Sequence, residues 1–438
     1  MLDTFEVQYL GICLNRLFDK ARNVFTKVVA PKSKTDQANM KGINASDVRN
    51  LSSLIFQELN NVKVDERLFL EVGKNVGKMI QMFTNKVEEV MLTDSTSKEI
   101  DLLSVLEGNS VTNMSKTPTA TQAFNANLFN SIYILLSSTI KTVKTFAQTP
   151  SFSKLENILD PALKKMDELA KQIIQPVFDS VKSQLVSVLL NMHLSEEEIK
   201  QKQQQLETSQ LLEMSGEYNS NSLFVKQFFY CIRCAKKVYF SIYDNQGALN
   251  QNIFLPLIEQ LYLYITVELT LKVITLSQTL PLEEREIHFL TVLNDAKQLQ
   301  LMIGDFLSDD SDAQTNAHLL FKSFLKILFL NDYQVVEKHV ASHNLSHFVL
   351  VMHLLFTKVE SAEWVMPPHE YMDVSLREYS NWWLEMNKNN EKAVLNVISK
   401  CVDEMKKKDK DSASKVIPFI DKLLNKCIEE LQSLPNEQ

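Results

Sequence analysis

Glycine occurs 8 times and proline 11 times in this 438-residue chain, against average usage of about 7% and 5%. That scarcity constrains the fold more than any motif does. Sheet architectures consume glycine at tight turns and bulges, and phosphate-cradling loops consume it where backbone meets ligand. A dinucleotide fingerprint or a P-loop has almost nowhere to sit. The segments between these punctuators repeat their apolar residues at 3–4 spacing, and none alternates with period two. The pattern predicts an all-α protein, an elongated stack of helical bundles. Apolar residues make up 45% of the chain, enough for a large core, and its length predicts roughly two to four domains.

Net charge is −8, and of the 46 basic residues only Arg16, Arg22, Arg49, Arg67, Arg233, Arg285 and Arg377 are arginine. Nucleic-acid surfaces concentrate basic residues on one face and favour arginine for phosphate forks, so no nucleic-acid partner is expected. Cys13, Cys231, Cys234, Cys401 and Cys427 form an odd set without framework spacing, which predicts free thiols in a reducing compartment. The opening MLDTFEVQYL carries Asp3 and Glu6 and lacks a basic flank before an apolar core, so it does not read as a signal peptide. Asn50 and Asn344 head N-x-S triplets, which arise commonly by chance. The most membrane-like segment, 253–276, is interrupted by Pro256, Glu259, Glu268 and Lys272. Each charge at the centre of a lipid-embedded helix costs about 3 kcal/mol, so this segment predicts a helix buried in protein.

Along the chain, 4–29 reads as a first helix carrying Val7, Leu10, Leu14, Leu17 and Phe18. Ser46 is placed to cap a second, with Val48, Leu51, Leu54, Ile55 and Leu59. A strongly amphipathic helix follows over 67–92, with Gly73 and Gly77 one turn apart where another helix can approach closely. Residues 93–121, rich in Ser, Thr, Asn and Lys, predict a loop. Helices over 123–147 and 161–192 come next, the latter started or kinked at Pro176. Ser195 and Glu198 form a capping box ahead of the Gln-rich IKQKQQQLETSQ. The segment 193–222 reads as a linker between an N-terminal bundle, 1–192, and a C-terminal bundle, 223–438. That second half opens with Phe224, Phe228, Phe229, Tyr230 and Tyr239, and no repeat of fixed period runs through it.

Three sets of residues invite chemistry. Cys231 and Cys234 form a C-x-x-C, suited to a redox pair or half a zinc site. A second pair and a βαβ setting are both missing, and in an aromatic helical run cysteine packs as a small apolar residue. His339, His343 and His347 fall at i, i+4 and i+8, with His353 beyond, and on one continuous helix they could ligate zinc. Ser342, Asn344 and Ser346 favour a break between helices there. Asp309, Asp310 and Asp312 resemble the magnesium-binding aspartates of helical prenyl-transferring enzymes, but position 313 is alanine where that pattern wants aspartate. They read as a solvated loop. No Gly-x-Ser-x-Gly, His-Glu-x-x-His or kinase set occurs. The expectation is a chain with no catalytic residues, no metal and no cofactor.

Ser375 and Glu378 make another capping box. Leu376, Tyr379, Trp383 and Met386 then follow at 3, 4, 3 spacing, which puts Trp383 in the core. Trp382 sits one position off that stripe, placed to meet a neighbouring bundle or a partner. Lys406, Lys407, Lys408 and Lys410 could touch anionic lipid, at about 1 kcal/mol each, but interleaved Asp409 and Asp411 favour a solvated turn. The helices on either side carry Val394, Ile398, Cys401 and Met405, and Ile417, Ile420, Leu424, Cys427 and Leu431. Pro418 falls in a first turn, where proline is tolerated.

Several ordered blocks resemble the fifth-subunit family of the conserved oligomeric Golgi complex. YLGICLNRLFDKARNVF, from Tyr9, and LFLEVGKNVGKMIQMFTNKVEEV, from Leu68, are similar to its early helices. MHLSEE and SLFVKQFFYCI look like its middle turn-and-helix pair. HLLFTKV, SLREYSNWW and KVIPFIDKLL follow its last three helices in order. Each block is a packing pattern, and their collinearity over nearly the whole chain carries the resemblance. The family's N-terminal coiled-coil region has no counterpart here, so the chain looks like the C-terminal half of a subunit. The loop at 93–121 and the Gln-rich linker look expanded. The resemblance implies a helical-rod, non-enzymatic vesicle tether, peripheral on the cytosolic face of Golgi membranes and acting in retrograde intra-Golgi transport. Its implied partners are the other subunits of the complex, SNAREs, Rab GTPases and coiled-coil tethers. Without the resemblance, the residues leave an unrelated α-helical scaffold, or an all-α metal-dependent enzyme built on Asp309, Asp310, His339, His343 and His347.

Overall fold

The computed structural model describes residues 4–30, 40–98, 100, 102, 117–205, 222–244, 254–304, 315–330, 333–341 and 344–433. Among these the chain is α-helical, with no named strand and one isolated antiparallel bridge between Val29 and Lys41. The all-α expectation is borne out. Contacts group the chain into two units. The first holds the described residues of Met1–Leu102, Ser110–Val181 and Arg233–Ile253; the second holds those of Lys182–Ile232 and Phe254–Gln438.

In the first unit, α1 (Thr4–Phe25), α2 (Ala45–Val62) and α3 (Glu66–Val90) pack on one another, and α5 (Ala120–Thr145) packs on α2 after the single turn α4 (Ser95–Lys98). Cys13, Leu17, Ala21 and Val24 form the inner face of α1. Phe69, Val72, Val76, Met79, Ile80, Phe83 and Val87 do the same for α3. Ser46 is not the cap of α2. Asn44, in extended backbone, accepts from the Ser46 N–H, and since both residue types are favoured caps, spacing alone does not separate them. Thr119 and Gln122 form a capping box at the start of α5.

The helix expected over 161–192 begins nine residues earlier. α6 (Phe152–Leu190) runs unbroken through both Pro161 and Pro176. Each interior proline costs about 3 kcal/mol. Leu155, Leu159, Ala162, Met166, Ala170, Ile173, Val177, Val181 and Leu185 are buried on both sides of the prolines. At roughly 1.5–3 kcal/mol for each large apolar side chain, this stripe outweighs the breaks. By length and composition Phe152–His193 is apolar enough to cross a membrane, and 44% of its most apolar stretch is buried inside the protein. The foreseen close approach occurs here. A Cβ on Gly73 would stand 2.5 Å from Leu155 Cδ1, and one on Gly77 would stand 3.7 Å from Leu159 Cδ2.

The second unit contains α7 (Glu196–Gln205), α8 (Leu223–Cys234) up to Ile232, and α9 (Leu255–Thr279). α10 (Leu282–Gly304), α11 (Asn316–Ile327), α12 (Tyr333–Ala341) and α13 (Leu345–Leu355) follow. α14 (Pro368–Tyr371), α15 (Leu376–Asn389), α16 (Glu391–Lys408) and α17 (Val416–Ser433) complete it. The Ser195–Glu198 capping box opens α7 as expected, and residues 206–221 of the Gln-rich segment lie outside the described residues. α9 is the most membrane-like segment of the sequence, expected as a helix buried in protein. It packs against α10, α11, α13 and α15, with Leu257, Leu261, Ile265, Val267, Leu269, Leu271 and Val273 all buried. A helix apolar all round is a helix surrounded by protein.

Candidate functional site

Among the described residues Glu268, Asp295 and Asp409 place carboxylates in the interior of the second unit. Glu268 of α9 is 1% exposed. Its Oε2 lies 2.8 Å from His193 Nε2, and its Oε1 accepts from the Ser380 hydroxyl of α15. A carboxylate only accepts, so His193 Nε2 carries the proton. Buried charge is stable only when partnered and hydrogen-bonded, and this one joins three segments distant in sequence. Ser380 is on the buried face of α15 because it follows Tyr379 and precedes Trp383 and Leu384, all of them buried. Leu376 and Met386, expected on this stripe, are half-buried.

Next to Ser380 in the chain, Tyr379 belongs to an aromatic cluster with His353 of α13. His353 is fully buried. Its Nδ1 donates to Val349 O at 2.8 Å, and its Nε2 accepts from the Tyr379 hydroxyl at 2.8 Å. The Trp383 ring stacks on the imidazole at 3.9 Å and 11°. Burial pushes the His353 pKa down to about 4 and that of Tyr379 well above 10. Both are therefore neutral at pH 7, and the imidazole serves as a flat packing surface with both nitrogens engaged. Trp383 is core as its spacing predicts. Trp382 is half-buried, its ring 5.6 Å from that of Tyr379.

Arg285, near the start of α10, is 1% exposed. Its Nε donates to Leu280 O at 3.0 Å, and its NH1 donates to Thr357 O at 3.0 Å and Val359 O at 2.6 Å. These carbonyls follow the C-terminal ends of α9 and α13, where backbone acceptors lack helical partners and a cation is favoured. Lys358 does similar work at Leu328 O, and burial draws its pKa down to about 8. In the first unit the corresponding hub is Glu58, 2% exposed, which accepts from Arg16 at 2.9 Å and Tyr9 at 3.4 Å. Burial, then the Glu58 charge, lifts the Cys13 thiol to about 12.

Of the metal and redox sets suggested by spacing, the cysteine pair and the helices of His339 and His347 fall among the described residues. Cys231 is buried and Cys234 half-buried on α8, and neither forms a disulfide. α12 ends at Ala341, and α13 starts at Leu345 with Asn344 accepting from the His347 N–H at 3.1 Å. His339 and His347 thus sit on different helices, as the intervening turn residues foretold. His343 lies outside the described residues, as do Asp309, Asp310 and Asp312, and 99, 101 and 103–116 of the 93–121 loop. Among the described residues no group of three or more His, Cys, Asp or Glu side chains is placed to hold a metal. The solvated turn expected at Lys406–Lys410 is corrected: Lys406, Lys407 and Lys408 form the last turn of α16, where Lys406 pairs with Asp421 at 2.6 Å and Lys407 with Glu404 at 2.6 Å, and Asp409 is buried, accepting from the Ala413 and Ser414 N–H groups. Sequence reasoning missed Glu58, Glu268 and Arg285 as hubs. Their only local signal is charge embedded in apolar periodicity, as in LTVELTLK around Glu268.

No family model and no solved structure matches the chain. A mouse protein, conserved oligomeric Golgi complex subunit 5, is 24% identical to it over 442 residues, covering 98% of this chain and 46% of the mouse protein. The resemblance read from the ordered blocks is borne out. The chain spans about half the length of that curated relative. Within the matched region fall the Tyr379–Trp383 cluster, Glu268 and Arg285, all of them interior groups fixed to protein partners.

Proposed function

We propose that this chain is a non-enzymatic subunit of a multisubunit Golgi tethering complex, working in retrograde intra-Golgi transport through protein–protein contacts. The observation that carries the reading is the similarity to the Golgi subunit over 98% of the chain. The interior supports it. Glu268, His353, Tyr379 and Arg285 have the burial of catalytic groups, but their hydrogen bonds go to neighbouring protein atoms, which is the arrangement of a rigid scaffold. Partners on this reading are the other subunits of the complex, with SNAREs, Rab GTPases and coiled-coil tethers beyond them. Association with the cytosolic face of the Golgi is peripheral. Half-buried Trp382 is the aromatic we assign to a partner contact, because interface anchors are enriched in tryptophan.

Affinity capture of the tagged chain from its own cells, followed by mass spectrometry, tests the assignment. Recovery of the other complex subunits supports it. A folded, monodisperse chain that recovers none of them refutes assembly through this part of the subunit. Loss of one named subunit on Trp382→Ala, without a change in thermal stability, would place the contact.

A further inference from the structure

Helix α10 carries a second apolar stripe that the fold leaves uncovered. Its inner face is Phe289, Val292, Ala296, Leu299 and Ile303. On the opposite side Ile287, Leu290 and Leu301 are 71%, 52% and 57% exposed. Ile287, Leu290, Asn294, Lys297 and Leu301 are spaced 3, 4, 3, 4, which is a heptad seam with two successive polar layers, Asn294 and Lys297, within it. At 1.5 Å per residue the seam is about 21 Å long. A helix facing only solvent on that side carries polar residues there. The charges along this face are ordered: Glu283, Glu284 and Glu286 are exposed at the N-terminal end, and Lys297, within the seam, is exposed toward the C-terminal end.

We propose that this face docks one amphipathic α-helix of a different chain, antiparallel to α10, with a Leu- or Ile-rich stripe and Lys or Arg in its C-terminal turns. Helices place acids at their N-terminus and bases at their C-terminus to complement their own dipole. An antiparallel partner therefore brings basic turns to Glu283, Glu284 and Glu286 while its apolar stripe covers Ile287, Leu290 and Leu301. A parallel partner sets like charges together. A second copy of this chain offers one lysine against three glutamates at each end, so the match favours a more basic helix. The inference does not rest on the tethering reading.

The test uses the full chain and a synthetic, fluorescent helix of about 21 residues, with Leu at the seam positions and Lys in its last two turns. Saturable binding by anisotropy is expected, weakened about tenfold or more by Ile287→Ser/Leu301→Ser, whose exposed positions leave the fold intact. Glu283→Lys/Glu286→Lys should weaken this peptide and favour a counterpart with Glu in place of Lys. No saturable binding, or wild-type binding that ignores the peptide's charge, overturns the proposal. Sedimentation equilibrium of the chain alone should give a monomer. A dimer abolished by Leu290→Ser assigns the face to a second copy and also overturns it.

Discussion

Gly73, Gly77 and Gly11 are all helical, and replacing each by alanine separates backbone propensity from packing. Propensity alone favours every substitution by about 1 kcal/mol. At Gly11 nothing lies within 4 Å of the new methyl, so Gly11→Ala should keep that gain. At Gly77 the methyl meets Leu159 Cδ2 at 3.7 Å and Ile158 O at 3.8 Å, ordinary contact, and the gain should again survive. At Gly73 it would stand 2.5 Å from Leu155 Cδ1, about 1 Å inside the usual carbon contact of roughly 3.5–4.0 Å. Leu155 is 0% exposed and has no solvent to swing into. Overpacking of this kind costs about 1–3 kcal/mol, so Gly73→Ala should be destabilising by up to about 2 kcal/mol once propensity is offset. In a Leu155→Ala background the methyl fills part of the cavity, and Gly73→Ala should become stabilising. Guanidinium unfolding followed by far-UV circular dichroism measures each variant in its background. If Gly73→Ala raises the midpoint as much as Gly77→Ala does, Leu155 does not press on α3 and the packing described for α6 is wrong.

Trp364, Trp382 and Trp383 are the chain's three tryptophans and all lie in the second unit, so their fluorescence reports its unfolding. Trp383→Ala should cost about 3–5 kcal/mol and Trp382→Ala much less; equal, small shifts would remove Trp383 from the core. His353 has a folded pKa of about 4, below its ordinary 6.5, so on acidification the unfolded chain takes up the proton first. Its contribution, up to about 3 kcal/mol, is full above pH 6.5 and drains as pH falls toward 4. His353→Gln should flatten that part of the stability–pH curve, and an unchanged slope between pH 6.5 and 4 would contradict the assigned neutral imidazole. Arg285→Ala strands three buried carbonyls and should cost about 3 kcal/mol or more. Arg285→Lys should recover little, because an ammonium cannot span the fork, and full recovery of the fluorescence midpoint by lysine would show that charge alone suffices.

What was legible in the sequence was whatever is local. The capping box at Ser375 and Glu378, the core position of Trp383, and the stripe Val394, Ile398, Cys401 and Met405 follow from spacing, and all appear in place. The break between His339 and His347 was legible from its turn residues. The stripe that continues across Pro161 and Pro176 was also readable, and its burial outweighs proline's local penalty. In the last helix Ile417, Ile420 and Leu424 are buried while Cys427 is only half-buried. Glu268 was visible only as a charge that spoils a membrane span, because its partners His193 and Ser380 carry no local sign of pairing. Arg285 likewise closes the end of a helix some seventy residues away. The outer stripe of α10 was hidden for a different reason. Apolar periodicity gives a face and not its surroundings, so Ile287 and Leu290 read like any other core residues.

The Glu268 hydrogen bonds also bear on the order in which this protein can be made. His193 precedes Glu268 by 75 residues and Ser380 follows it by 112. Ribosomes add roughly 5–20 residues per second, so an interval on the order of 6–20 s separates synthesis of the carboxylate from synthesis of its second partner. During that interval His193 is already available to Oε2, while Oε1 has only water in place of the Ser380 hydroxyl. Until α15 has been made, that oxygen lacks the Ser380 donor it has in the folded second unit.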